Sequence, residues 1–383
     1  MTTVQTLSGK LVVVAVTGSI AAVEVVRLIH SLRRCGAVVQ AVMSPAATGI
    51  ISPESLTYAS GRPAITRITG MVEHVTYCGD GGSADLLLVA PCTANTISKI
   101  ACGIDDTPVT TFATTALGSA LPVLVVPAMH HSMYRHPAVR ENLERIRSWG
   151  VGIVDPRIEE GKAKIADNET IVLRCERMIL GHPLQGRHVL ITSGPCREMV
   201  DDVRVLTTRS TGLMGRALAL EAFRLGADVT VVHRDAFPVV TNVPADSAAD
   251  MREAVHRCFS TGGGADIYIS AAAISDFAPK KIKGKIPSGK KTTLELEPLP
   301  KLLDEVIRQW APVTVAFKLG TAPEKQSRQM LAKGVTAVLM NPPGTMGSPE
   351  GEYTLLSAHG CMQLAGSKDA VAHAFWKEMM EII

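Results

Sequence analysis

The chain carries the same strand, turn, helix, strand order twice, and this repetition restricts the fold more than any other feature. Leu11 to Val16 is uniformly apolar and rich in β-branched residues, the pattern of a strand covered on both faces. It breaks at Thr17-Gly18-Ser19, resumes with helical spacing from about Ile20 to Arg34, turns at Gly36-Ala37 and continues as a second strand, Val38 to Met43. The order returns at His188 to Thr192, followed by Ser193-Gly194-Pro195, a polar insert, a helix from Leu213 to Leu225, Gly226-Ala227 and the strand Asp228 to His233. The expected fold is α/β: two doubly wound, Rossmann-like domains with mainly parallel sheets, each offering a ligand site at the carboxyl ends of its first strands. A length of 383 residues suits two such cores. The turn-rich stretch Gly181 to Gly186 places the junction, giving domains 1–183 and 184–383.

The first half continues with a buried strand from Leu86, a Pro91-Cys92 turn, a helix opened by Thr93 or Asn95, and a strand ending at Pro127. Polar residues therefore follow three strand tips: Thr17 to Ser19, Thr93 to Asn95 and Met129 to His131. The Thr17-Gly18-Ser19 turn holds one glycine where a dinucleotide fingerprint needs three. Its backbone N–H groups and the following helix dipole suit a single phosphate. The same residues also make an ordinary tight turn with an N-cap, and both readings stand at this point.

Several function classes fall away. A net charge of +3 with 20% charged residues gives no basic footprint for nucleic acid. The apolar runs are strand-sized, short of the ~18 residues of a membrane span. No charged segment precedes an apolar one at the N-terminus, so the expected compartment is the cytoplasm. The eight cysteines form no C-x-x-C pair and no cluster with histidine, against a zinc site or a disulfide scaffold, and most are expected to be buried.

Four segments then carry a resemblance: "TGSIAA" from Thr17, "EH" at Glu73-His74, "PCTANTISKIACGIDD" from Pro91 and "PAMHHSMYRHP" from Pro127. Together they resemble the flavin-containing cysteine decarboxylase family. The resemblance implies FMN, with Gly18, Ser19, Ile20, Ser44, Thr93, Thr110, Thr111 and Met129 near the cofactor, and a trimer-based homo-oligomer with its flavin site at a subunit interface. It implies that His74 acts beside flavin and substrate, that Asn95 donates its amide there, and that His130, where the family's usual pattern has asparagine, holds the substrate carboxylate. The chemistry implied is removal of electrons from a cysteinyl thiol so that CO2 leaves without a free carbanion. The family's flap cysteine is missing: Glu159 to Asp167 reads "EEGKAKIAD", similar to the archaeal version of the family. Lys162 or Lys164 is placed to hold a substrate phosphate or carboxylate, or to belong to a solvated loop.

The second half, through "ITSGPCREMVDDVRVLTTRSTGLMGRALA" from Ile191 and "AAAISDF" from Ala271, resembles phosphopantothenate–cysteine ligases. The order of the halves is similar to the bifunctional family of coenzyme A biosynthesis. The resemblance implies an acyl-nucleotide made from 4'-phosphopantothenate with CTP or ATP and Mg2+, then attack by cysteine. Ser193, Gly194, Ser210 and Gly212 are the implied phosphate turns. Ala272, Ala273, Phe317 and Asn341 complete the site, with Asp276 as nucleotide or metal contact. Thr208 replaces an asparagine, and Lys333 is what remains of a two-lysine triphosphate clamp. The loop "APKKIKGKIPSGKK" from Ala278 carries the essential lysine: one alignment favours Lys281, another Lys285, and the choice stays open here. Ligase-domain dimers are a further implied contact. Two other readings compete: a regulatory or non-catalytic FMN-binding flavoprotein, and a relative acting on a different carboxylic acid or cysteinyl compound.

Overall fold

Val12 to Val16 are all fully buried, which a strand achieves only when both faces of its sheet are covered. The computed structural model describes residues 4–159, 162–261, 263–289, 291–320 and 323–383. The chain divides into two compact units, one running from residue 3 to 181 and the other from 182 to 383.

The first unit contains β1 (Leu11–Val16), β2 (Val38–Met43), β3 (Leu86–Cys92), β4 (Val123–Pro127), β5 (Met129–His130), β6 (Gly152–Ile153), β7 (Arg157–Glu159) and β8 (Lys162–Lys164). Its main sheet has the order β2-β1-β3-β4-β6 and every pairing is parallel. Alternate residues of β1 feed two cores. Val12, Val14 and Val16 pack with helices Val25–Arg34, Pro53–Ser60 and Asn168–Ile179, whereas Val13 and Ala15 pack with helices Ala94–Cys102, Pro108–Gly118 and Pro137–Ser148. This is the doubly wound arrangement, with the reversal of strand order between β1 and β3, where such sheets open a crevice at their carboxyl ends. A small antiparallel sheet, β5-β8-β7, lies after those ends.

The second unit contains β9 (His188–Thr192), β10 (Arg197–Met199), β11 (Val205–Thr207), β12 (Asp228–His233), β13 (Thr241–Pro244), β14 (Ile267–Ser270), β15 (Phe277–Pro279), β16 (Leu296–Pro298), β17 (Val313–Leu319), β18 (Ala337–Asn341), β19 (Glu350–Ser357) and β20 (Gly360–Ser367). Its eight-stranded sheet runs β13-β12-β9-β14-β17-β18-β19-β20, parallel as far as β18 and closed by an antiparallel hairpin. The first six strands follow the Rossmann order, with the switch between β9 and β14. Helices Leu213–Arg224 and Lys368–Ile382 pack together, the buried Trp376 indole donating to the Leu218 carbonyl at 3.0 Å. Two antiparallel ribbons, β10-β11 and β15-β16, stand outside this sheet.

Three details depart from expectation. The turn after β1 leads first into a 3-10 segment, Ile20–Glu24, and the α-helix starts only at Val25. The polar insert before Leu213 holds the β10-β11 ribbon. Of the eight cysteines, Cys78, Cys92, Cys175 and Cys196 are buried and the other four are partly or fully exposed. Among the described residues no helix is long and apolar enough to cross a membrane.

Leu88 sits at the centre of the first core with no exposed surface. Leu88→Ala is expected to destabilise that unit by about 2–5 kcal/mol through lost burial and a residual cavity. Urea denaturation followed by circular dichroism checks this, and a loss below about 1 kcal/mol would contradict the packing described.

Candidate functional site

In the first unit the tips of β1 and β3 are tied by one side chain. The buried Thr17 hydroxyl donates to the Pro91 carbonyl at 2.7 Å and accepts the Thr93 N–H at 3.1 Å. Gly18 follows because the chain passes very close to the loop after β2: an added Cβ would lie 2.5 Å from Ala46 Cβ. Ser44, itself buried, opens that loop by capping the short helix Pro45–Thr48. Ser19 caps the 3-10 turn, its hydroxyl accepting the Ala21 N–H, while the Ser19 carbonyl accepts the Ala22 N–H at 2.8 Å. The Gly18 and Ile20 N–H groups are left without a protein acceptor among the described residues.

Around this turn opens a cavity of ≈ 830 Å³, inside the ~300–1,000 Å³ range of small-molecule sites. Gly18, Ser19, Ile20, Thr93, Met129, His130 and Lys164 line it, so seven of the site residues expected from the sequence meet in one place. The small sheet closes one side: His130 pairs with Lys162 across β5 and β8, and Arg157 and Ala163 reach the cavity. Lys164 is paired with Glu159 at 3.1 Å. The side chain of Lys162 lies outside the described residues.

His74, Asn95, Ser44, Thr110 and Thr111 lie outside that lining. Asn95 is exposed on the first turn of helix Ala94–Cys102, which Thr93 caps. Thr110 and Thr111 use their hydroxyls to start helix Pro108–Gly118: Thr110 completes a capping box with Thr107, and Thr111 donates to the Thr107 carbonyl at 3.0 Å. His74 belongs to a helix, Glu73–Cys78, and not to a strand end. Val72 enters that helix at φ 47°, a strained conformation for a β-branched residue. Glu73 helps hold the entry by accepting the Thr69 N–H at 2.9 Å and the Thr69 hydroxyl, which keeps its carboxyl below the usual range. The His74 ring lies edge-on to Phe112, centroids 6.5 Å apart, and its Nδ1 is buried with no hydrogen-bond partner among the described residues. Burial pushes the Cys78 and Cys196 thiols up to about 12, so neither is a ready nucleophile.

In the second unit the tips of β9 and β14 are joined by backbone. Ala273 N–H donates to the Gly194 carbonyl at 2.9 Å, and Pro195 and Ala273 form a parallel bridge. Gly194 and Gly212 both have left-handed backbone, at φ 80° and 73°. Ser193 is buried under the second turn, donating to the Gly212 carbonyl at 3.2 Å, and a Cβ on Gly215 would collide with it. Ser193, Gly194, Gly212, Ala272 and Ala273 therefore lie together, with Ala272 N–H donating to Thr192 at 3.4 Å. Ser210 is half-buried nearby in sequence, and Thr208 has a buried hydroxyl with no hydrogen-bond partner among the described residues. Asn341 at the end of β18 donates to the Thr345 hydroxyl at 2.7 Å, and Phe317 is half-buried in β17. Asp276 is exposed and ion-paired with Lys301, and Lys333 is exposed with Asp304 3.9 Å away. No group of three or more potential metal ligands occurs among the described residues.

The structure separates the two loop lysines. Lys281 is paired with Asp202 at 3.0 Å, whereas no ion pair or hydrogen bond engages the exposed Lys285 ammonium among the described residues. The carboxylates that hold this loop, Asp201 and Asp202, were not singled out from the sequence: they sit 85 and 82 residues before the loop positions they bind, and no spacing rule links them.

Two doubly wound sheets, each with a small-residue turn at its switch point, define a two-domain α/β protein of the Rossmann-like class. The family model described as Flavoprotein matches residues 2–179, and that of the DNA/pantothenate metabolism flavoprotein C-terminal domain matches residues 184–383. A coenzyme A biosynthesis bifunctional protein CoaBC from Thermococcus kodakarensis is 43% identical over 390 residues, 98% of this chain and 96% of that protein. Those from Bacillus subtilis and Methanocaldococcus jannaschii are 36% and 35% identical, covering 78% and 82% of this chain and 77% of each relative. The chain belongs to the family of bifunctional CoaBC proteins of coenzyme A biosynthesis.

Because the Gly18 turn has no room for a side chain against Ala46, Gly18→Ala is expected to weaken flavin binding on the order of tenfold or more. Titration of the apoprotein with flavin checks this, and unchanged affinity would contradict the placement.

Proposed function

We propose that the chain performs both reactions of its family. The first is nucleotide-dependent ligation of cysteine to 4'-phosphopantothenate through an acyl-nucleotide, with CTP or ATP and Mg2+. The second is FMN-dependent decarboxylation of phosphopantothenoylcysteine to 4'-phosphopantetheine. The observation that carries the reading is the cavity after β1 and β3, where a side-chain-free turn, the cap residue Thr93 and His130 converge. The division of labour follows the two units, with 1–183 as the decarboxylase domain and 184–383 as the ligase domain, in a cytoplasmic enzyme.

The residues present fit FMN. Unpaired N–H groups at Gly18 and Ile20 with the Ser19 hydroxyl suit one phosphate, and Met129 and Thr93 flank the space for a ring. When bound, FMN supplies the electron sink that lets CO2 leave without an unstabilised carbanion. The rest is protein work. His130 donates to the substrate carboxylate, and Lys164, on exchanging Glu159 for substrate, adds a positive charge. The His74 imidazole, with its unpartnered buried Nδ1, takes the thiol proton.

His74 and Asn95 lie outside the cavity of their own chain, which favours a trimer in which a neighbouring copy completes the site. Large apolar side chains exposed in the same unit, Ile20 at 78%, Tyr58 at 80% and Met71 at 76%, supply a surface for that contact.

In the ligase unit, the Gly194 and Gly212 turns take phosphates and Thr208 takes the polar role of the family's asparagine. Asp276, here paired with Lys301, would hold Mg2+, which would offset the charge of the nucleotide phosphates. Lys285 is the essential loop lysine and Lys281 an anchor.

Three variants test these roles. His74→Asn is expected to retain the yellow chromophore and lose about 100-fold or more of CO2 release; release at the parent rate would refute the role. Lys285→Ala is expected to lose ligation about 100-fold, and Lys281→Ala, an exposed ion pair, less than about fivefold. Measured cysteine incorporation with the opposite order would reverse the assignment.

A further inference from the structure

The lysine-rich loop is sewn onto the tip of the β10-β11 ribbon. Ile282 N–H donates to the Val200 carbonyl at 2.9 Å, and Asp202 N–H donates to the Gly284 carbonyl at 3.1 Å. The Asp202 carboxylate accepts Gly284 N–H at 2.9 Å and pairs with Lys281 at 3.0 Å. Asp201, fully buried, accepts the N–H groups of Val203 at 2.8 Å, Arg204 at 2.6 Å and Ile286 at 3.0 Å, as well as the Arg204 guanidinium. Arg204 reaches the Ile286 carbonyl at 3.4 Å. The Ile286 N–H, followed by the other donors, holds the Asp201 carboxyl well below the usual range, so it stays charged at any working pH. Lys285 is thus the one residue between two clamped neighbours, Gly284 by Asp202 and Ile286 by Asp201. The same ribbon leads through Thr207 directly into Thr208 and the Ser210–Gly212 turn.

We infer that Asp201 is a positioning residue for ligation: its buried carboxylate fixes the backbone beside Lys285 and sets that ammonium in register with the Thr208–Gly212 turn. This rests on the reading of Lys285 as the essential lysine. A free lysine samples many rotamers on a mobile loop; clamping the residues on either side restricts where its charge can be found. Asp201 needs no contact with substrate to act this way.

The test is a double-mutant cycle on the full-length protein, read as cysteine incorporation at saturating substrates, with residual rates followed to single turnover. Asp201→Ala is expected to lower ligation kcat about tenfold or more with little change in nucleotide KM, and to speed tryptic cleavage between residues 281 and 286. CO2 release, carried by the other unit, should hold, and the circular dichroism melting curve of the full chain reports that the ligase unit, which carries Asp201, remains folded. In a Lys285→Gln background Asp201→Ala is expected to cost less than about twofold, because the group it positions is gone. Asp202→Asn, at an exposed carboxylate, is expected to show the same coupling more weakly. Two results would overturn the proposal in different ways. An equal loss from Asp201→Ala in both backgrounds means the carboxylate does not act through Lys285, leaving the lysine's role intact. Parent-rate ligation by Lys285→Gln alone removes that role and the coupling with it.

Discussion

A single hydroxyl organises the first unit. Thr17 lies where β1 ends, and its Oγ1 joins the loop after β1 to the loop after β3 across the point where strand order reverses. Both loops would otherwise diverge, because neighbouring parallel strands lead to helices on opposite faces of the sheet. Fixing them together sets the distance between the Gly18 turn and the Thr93 cap, and those two features bound the cavity. The glycine is then forced by Ala46 on the third side. The proposed flavin site rests on these packing constraints, since a turn too tight for side chains presents backbone N–H groups and little else.

The ligase unit meets the same requirement mainly through backbone, helped by the longer side-chain bridge from Ala272 N–H to the Thr192 hydroxyl at 3.4 Å. Its strand tips are joined by the Ala273 to Gly194 hydrogen bond and the Pro195 bridge, leaving the glycine turns at Gly194 and Gly212 back to back over the buried Ser193. The two sites also handle charge differently. The flavin cavity holds its cations close to carboxylates, as Lys164 is to Glu159, whereas the ligase carries them on a loop. A lysine-rich loop repels itself, and the adjacent Asp201 and Asp202 offset that repulsion while fixing the backbone.

Much of this was legible in the residues. The two β-branched runs at Leu11 and His188 are buried on both faces and could only be central strands, so the paired doubly wound sheets followed from hydrophobic pattern alone. The turn residues Gly18, Ser19, Gly194 and Gly212 were visible for the same reason: small residues at a strand-to-helix junction. What was missed lacks periodicity. Strands of two or three residues, as in β5, β7, β8, β10 and β11, are too short for alternation to register. Helix Glu73–Cys78 is entered through a left-handed valine, which no propensity rule anticipates, so His74 was not placed on a helix. The hydroxyls of Thr110 and Thr111 turn out to serve the start of a helix, a competing use that sequence spacing does not reveal. The contrast between Lys281, which pairs with Asp202, and Lys285 was hidden because Asp202 lies far away in sequence.

The most direct measurement is a crystal structure of the full-length protein with FMN. The account predicts flavin density after β1 and β3, its phosphate within hydrogen-bond distance of the Gly18 and Ile20 N–H groups and the Ser19 hydroxyl. Density for the phosphate elsewhere, or a cavity that a nicotinamide nucleotide fills with no room for a flavin ring, would contradict it.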